Sequence, residues 1–166
     1  MVKIDDAEVH FNDSKGEYTN STTDVQTSIE ELILKAEKTI HLICFSMPTD
    51  RASWWLFPCL DRKMKDSSKN IQLTVHSHKH HEAENLADRY ENCYAWAYKP
   101  TNPSDLFHIK AIIVDGKYIY IGSANFSDNA ISNSTEWGIV GYSADTCIEL
   151  EKFLRFLQNT GRFERI

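Results

Sequence analysis

Short β-branched runs alternate along this chain with stretches whose apolar residues recur every three to four positions, and this alternation restricts the fold more than any other feature. Residues 9–11 form a short apolar stretch suited to an edge strand, and residues 12–23 are polar and read as a loop. Asp24 is placed to cap a helix whose apolar positions are Val25, Ile29, Leu32, Ile33 and Ala36, with Lys35 and Lys38 at the end that the helix dipole favours for cations. The nearly continuous apolar run 39–45 suits a strand buried on both faces. Residues 53–65 then predict a helix, 71–75 a strand, 82–90 a helix and 94–97 a short strand. Pro100 and Pro103 punctuate a loop before a strand over 106–114. Asp115-Gly116 is a hairpin turn into a strand over 118–121, followed by a strand over 137–141 and an amphipathic helix over 146–157. Strands alternating with helices imply an α/β sandwich, a mixed central β-sheet flanked by helices. With 166 residues and no internal repeat, low-complexity run or linker, residues 1–166 read as one domain.

The chemistry concentrates in 107–115 and 122–125. Residues two apart on a strand share a face, so His108 and Lys110 project together while Ile109, Ala111 and Ile113 occupy the other side. Ser123 and Asn125 repeat that spacing after the hairpin brings the chain back beside His108, and Gly122 permits a close backbone approach there. One imidazole, one ammonium, one hydroxyl and one amide then converge. That set suits a phosphodiester: Lys110, Ser123 and Asn125 can bind the non-bridging oxygens while His108 attacks or protonates.

The pattern His108-x-Lys110-x4-Asp115-x6-Gly122-Ser123-x-Asn125 resembles the signature of the phospholipase D superfamily at every fixed position. Glu136 falls where small bacterial nucleases of that family carry a glutamate that orients the histidine. A short strand, a long helix and an apolar strand ending in Phe45-Ser46 also resemble those nucleases and the related mitochondrial cardiolipin hydrolases. The resemblance is specific over 106–141 and generic over 8–75. It implies a phospholipase D-like sandwich and a catalytic set of His108, Lys110, Ser123, Asn125 and Glu136. It also implies a structural role for Asp115 and Gly122. The family uses two such motifs per site, and this chain has one, so the resemblance implies a homodimer with a shared site. No metal or other cofactor is expected, because two Lys110 side chains supply the positive charge. The implied activity is that of a phosphodiester hydrolase, a nuclease on DNA or RNA working through a phosphohistidine. The alternatives are a lipid hydrolase acting on cardiolipin or a similar phospholipid, and an inactive nucleic-acid-binding module. The motif recognises the phosphodiester and leaves open which of DNA, RNA or lipid flanks it, and with what strand or sequence preference.

The remaining signals are weaker. Hydrophobic residues at 42% and charged residues at 25% are ordinary globular values. A net charge of −6 opposes indiscriminate coating of nucleic acid but leaves room for a local basic groove. No apolar run is long enough to cross a bilayer, and Asp5 and Asp6 stand where a secretory signal would carry basic and apolar residues. Together with Cys44, Cys59, Cys93 and Cys147, read as free thiols, this predicts a cytoplasmic protein without stable membrane association. His76, His78, His80 and His81 read as the rim of the active-site groove rather than a metal site, while His41 and His10 read as sheet histidines. Trp54, Trp55 and Phe57 could stack on bases or touch lipid, but read rather as helix packing residues or part of a dimer contact. Arg62, Lys63, Lys65 and Lys69 read as a solvated helix face.

Overall fold

The computed structural model describes residues 4–12, 24–66 and 68–166, so the polar loop expected over 12–23 lies, from residue 13 on, outside the described residues. One eight-stranded mixed sheet runs through the molecule in the order β1-β7-β6-β5-β2-β3-β4-β8. Its strands are β1 (Asp5–Asn12), β2 (Thr39–Cys44), β3 (Gln72–Ser77), β4 (Cys93–Tyr98), β5 (Ala111–Val114), β6 (Tyr118–Gly122), β7 (Glu136–Tyr142) and β8 (Phe163–Arg165). The helices are α1 (Val25–Leu34), α2 (Phe57–Met64), α3 (His80–Arg89), α4 (Asp128–Asn133) and α5 (Ala144–Asn159). Strands β2, β3 and β4 pair in parallel, and the other neighbours pair antiparallel. This is the mixed sheet flanked by helices that the alternating pattern predicts.

Each face of the sheet carries its own core. Ile40, Leu42, Leu73, Val75, Ile112 and Val114 pack with Ile29, Leu32, Leu60 and Leu86 from α1, α2 and α3. Ile43, Ala111, Ile113 and Ile119 face the other way and meet Cys147, Leu154 and Leu157 of α5. Central strands buried on both sides explain the unbroken hydrophobicity of β2 and β5. Burying one such aliphatic side chain contributes about 1.5–3 kcal/mol. The four cysteines are free, and three of them are buried. Among the described residues no helix is long and apolar enough to cross a membrane.

Local signals explain most boundaries. Asp24 accepts from Thr27 N at 2.7 Å and caps α1 as its position predicts. Asp115 and Gly116 have φ of 53° and 65°, and Lys117 N donates to Val114 O at 3.2 Å, so a tight turn centred on these two residues opens the three-residue link, 115–117, between β5 and β6. Two expected elements are shorter than the pattern suggests. The helix expected from residue 53 begins only at Phe57, because Pro58 lacks an N–H and fits only a first turn. Residues 48–57 instead form successive tight turns, Trp54 N to Arg51 O at 3.1 Å and Phe57 N to Trp54 O at 3.0 Å. The strand expected over 106–114 pairs only from Ala111, since its neighbour β2 ends at Cys44 and Ile43 faces Ala111 in the last register pair. Helix α4, capped by Ser127, and strand β8, three residues long, are additions that short-range periodicity does not reveal.

Candidate active site

Strands β2, β3, β4 and β6 end at the same edge of the sheet at which β5 and β7 begin. Crevices outside strand ends are where open α/β sheets commonly bind ligands. His108 lies just before β5 and is exposed, whereas Lys110 is only 6% exposed. Lys110 Nζ stands 2.9 Å from the His108 ring nitrogens and donates to the His108 carbonyl at 3.2 Å. The hairpin returns the chain to this point, where Gly122 N donates to Lys110 O at 3.2 Å. A Cβ on Gly122 would lie 2.6 Å from Trp137 O and collide with the Tyr120 hydroxyl, so only glycine fits between β6 and β7 there.

Ser123 follows at the end of β6. Its N–H donates to Trp137 O at 3.0 Å, its hydroxyl accepts from Trp137 N at 3.1 Å, and the hydroxyl donates to the Glu136 carboxylate. Asn125 is half-buried, with its Oδ1 3.9 Å from Cys44 Sγ. Flanking bonds clamp this loop: Phe126 N donates to Ser46 O at 3.1 Å, and Trp54 Nε1 donates to Phe126 O at 2.6 Å. Trp54 is thus a buried packing residue. The structure therefore brings His108 and Lys110 into contact, and Ser123 and Glu136 into contact, at the edge where Asn125 also lies. The expected contact between Glu136 and His108 is not formed among the described residues; Glu136 engages Ser123 instead, while its charge raises the proton affinity of Lys110.

Asp115 sits away from this cluster. Its carboxylate accepts from the backbone N–H groups of Glu37, Lys38 and Thr39 at 3.0, 2.8 and 2.9 Å, tying the β5–β6 turn to the segment that leads into β2.

Electrostatics favour a neutral imidazole. Partial desolvation of the otherwise exposed ring lowers the His108 pKa below its ordinary value, and the Lys110 ammonium beside it lowers it further. Burial also lowers the Lys110 pKa, with the nearby Cys44 and Glu136 opposing that change. An imidazole kept unprotonated next to a fixed cation can attack an electrophile that the cation has bound.

Further side chains surround the reactive pair. Phe45 packs against His108 with ring centroids 5.0 Å apart and stacks on His78 at 4.8 Å. His78 thus lies at the rim expected for the histidine cluster, His80 and His81 are exposed, and His76 is buried. His76 Nδ1 lies 2.7 Å from His41 Nε2, and its Nε2 lies 2.8 Å from Gln158 Nε2. Glu82, only 3% exposed, accepts from the hydroxyls of Ser46 and Ser77 at 3.0 Å each and joins the ends of β2 and β3 to α3. Burial raises its carboxyl pKa against those hydrogen bonds. The Phe45-Ser46 dipeptide was the one visible sign of this layer. No three His, Cys, Asp or Glu side chains gather as a metal-ligand set among the described residues.

A family model described as cardiolipin synthase, PLD-like domain, matches residues 29–157. No curated protein sequence matches the chain. Among solved structures, Nuc, a phospholipase D family member from Salmonella typhimurium, superposes with a TM-score of 0.60 at 15% identity, over 96% of this chain and 97% of Nuc. NucT from Helicobacter pylori superposes with a TM-score of 0.67 at 15% identity, over 92% of this chain and 96% of NucT. Phosphatidylserine synthase from Haemophilus influenzae Rd KW20 gives 0.65 at 14% identity, over 96% of this chain but 40% of the synthase. Matched by that family model across most of its length, and sharing its fold with those proteins, the chain belongs to the phospholipase D superfamily.

Proposed function

We propose that the protein is a metal-independent phosphodiesterase that cleaves DNA or RNA as a homodimer, with His108 of each subunit in one shared site. The observation that carries this reading is the Lys110 ammonium held 2.9 Å from the His108 ring nitrogens at an open sheet edge. Lys110, Ser123 and Asn125 bind the non-bridging oxygens. A His108 ring nitrogen forms a bond to phosphorus as the bond to the leaving oxygen breaks. The partner's His108 donates its proton to that oxygen, giving one product and a phosphohistidine. That same ring then takes a proton from water, whose oxygen displaces the histidine and releases the second product.

One chain supplies one imidazole to this sequence of steps, which is why the reading requires two. Leu106, 52% exposed, and Trp137, 45% exposed, flank His108 and Glu136 in the chain and offer apolar surface for a second copy beside the motif. A lipid phosphodiesterase is the second reading, favoured by the cardiolipin synthase description of the matching family. Purified wild-type and His108→Asn protein, tested in excess chelator on labelled DNA, labelled RNA and cardiolipin vesicles, separates the two. Cleavage of nucleic acid by the wild type alone is the expected result. Cleavage confined to the vesicles would replace the nuclease reading, and equal rates from His108→Asn would end both.

A further inference from the structure

Beside the reactive pair lies a second cation for which the steps above have no use. Lys79 Nζ stands 5.1 Å from the centroid of the Phe45 ring, and Lys110 Nζ stands 5.7 Å from the same centroid. Both fall within the range in which a cation is attracted to an aromatic face. The two ammonium groups therefore share one aromatic platform and can be no farther apart than the sum of those distances. Among the described residues, neither has a carboxylate within ion-pair distance. His78 stacks on the same ring, and its Nδ1 accepts from Phe107 N at 3.3 Å. That bond fixes the tautomer, leaving the hydrogen on Nε2 as a donor. Burial, with the charge of Lys79, lowers the pKa of this ring.

We propose that Lys79, His78 and Phe45 form a second phosphate subsite next to the reactive one, so that the protein grips a nucleic-acid strand by two successive phosphates. The proposal rests on the nuclease reading and names the feature of the substrate that this edge selects. Two cations over one ring, neither with a carboxylate partner among the described residues, can each take one of two linked anions. A strand with a phosphate at every nucleotide presents such a pair at any internal position. A compound with a single phosphodiester matches Lys110 and leaves Lys79 without its anion.

The test is equilibrium binding, read by fluorescence anisotropy with labelled oligothymidylate, in a His108→Asn background so that hydrolysis does not intervene. Lys79→Gln is expected to weaken binding roughly three- to tenfold. It should also reduce the slope of log affinity against log salt by about 0.7, the value of one single-strand phosphate contact. Lys79→Arg should restore the slope. Lys152→Gln, which removes an α5 lysine 2.8 Å from Glu149, should change neither quantity. Thymidylyl-thymidine, with one phosphate, should compete equally well for both proteins. An unchanged slope in Lys79→Gln, or an equal loss in Lys152→Gln, overturns the subsite. So does Lys79-dependent binding to phosphatidylglycerol vesicles without binding to the oligonucleotide, which would assign the cation to a membrane. Wild-type hydrolysis of bis(4-nitrophenyl) phosphate is measured separately. It reads the phosphodiesterase assignment alone, so failure of the subsite and failure of the reading beneath it give different results.

Discussion

Replacing Asp115 by alanine removes the acceptor of three backbone N–H groups, those of Glu37, Lys38 and Thr39, from a turn residue whose φ is 53°. Hydrogen bonds to a charged acceptor contribute about 1.5–3 kcal/mol each when dry, and these lie near the surface, so about 1 kcal/mol apiece is the appropriate scale. Alanine in the left-handed region adds about 1 kcal/mol of strain. The sum is about 4 kcal/mol, and at about 3 °C per kcal/mol for a chain of this size the melting temperature should fall by about 10 °C. Asp115→Asn keeps an acceptor oxygen and tolerates positive φ but loses the charge, so its loss should be about half as large. Below the melting transition both variants should hydrolyse substrate at the wild-type rate, because Asp115 lies outside the reactive cluster.

The pH dependence provides a second reading of the same variant. Burial acts to raise the Asp115 pKa, but the amides of Thr39, Lys38 and Glu37 together hold it below the ordinary carboxylate value. A depressed folded-state pKa means that the stabilisation is complete above the unfolded value, about 3.9, and is lost as the pH falls through the folded one. The gap in melting temperature between wild type and Asp115→Ala should therefore stay constant above about pH 5 and close below pH 4. Differential scanning calorimetry across that range measures it. A fall of less than 2 °C together with loss of turnover would refute the structural role and make Asp115 part of the chemistry.

Heterodimers of wild type and His108→Ala should be inactive, since each shared site needs both rings; half-activity after subunit exchange would show that one chain suffices. Excess chelator should leave hydrolysis intact, and loss that zinc or magnesium restores would move attention to the cluster around His78. The acid limb of kcat/KM should lie below pH 6.5, because partial desolvation and Lys110 lower the His108 pKa; an acid limb above pH 7 would contradict that environment. Burial and the neighbouring His41 push the His76 pKa down to about 2, so the folded chain takes a proton there far less readily than the unfolded chain. Stability measured by urea midpoints should therefore fall by about 1 kcal/mol per pH unit below 6.5, and His76→Gln should flatten that slope.

Much of this architecture is legible because the local and global signals agree. Asp24 followed by apolar residues at helical spacing sets the start of α1, and Asp115-Gly116, both at positive φ, marks the turn from β5 into β6. Motif spacing likewise places His108 and Lys110 on one side and Ile109 and Ala111 on the other. What the sequence hides depends on neighbours rather than on the residues concerned. Residues 106–110 have strand character but run beyond the end of β2 and so form no ladder with it, and β8 is a strand only because β4 offers it an edge. Phe45 and His78 meet because β2 and β3 are parallel and in register, Cys44 beside Ser77, a relation that no local pattern encodes. Glu136 is displaced from its expected partner for a similar reason: Ser123 is brought to it by the backbone bonds between β6 and β7.

Charge balance explains why the proposed chemistry needs two copies. In a single chain the reacting region holds one Lys110 cation and one Glu136 anion, and a bound phosphodiester adds a second negative charge. Protonating His108 would neutralise that set, but it would consume the lone pair that must attack phosphorus. Leaving His108 neutral preserves the nucleophile and leaves nothing to protonate the leaving oxygen. In the dimer, two Lys110 ammonium groups and one imidazolium stand against two Glu136 carboxylates and one phosphodiester, and the charges cancel with one ring still neutral. The shared site can then hold a single proton on either of two identical histidines, and the one without it attacks. Substrate binding itself favours this state, since the incoming phosphate offsets the Lys110 charge that otherwise lowers the His108 pKa. A second His108 thus resolves a conflict between nucleophile and acid that one subunit cannot, whatever the flanking substrate.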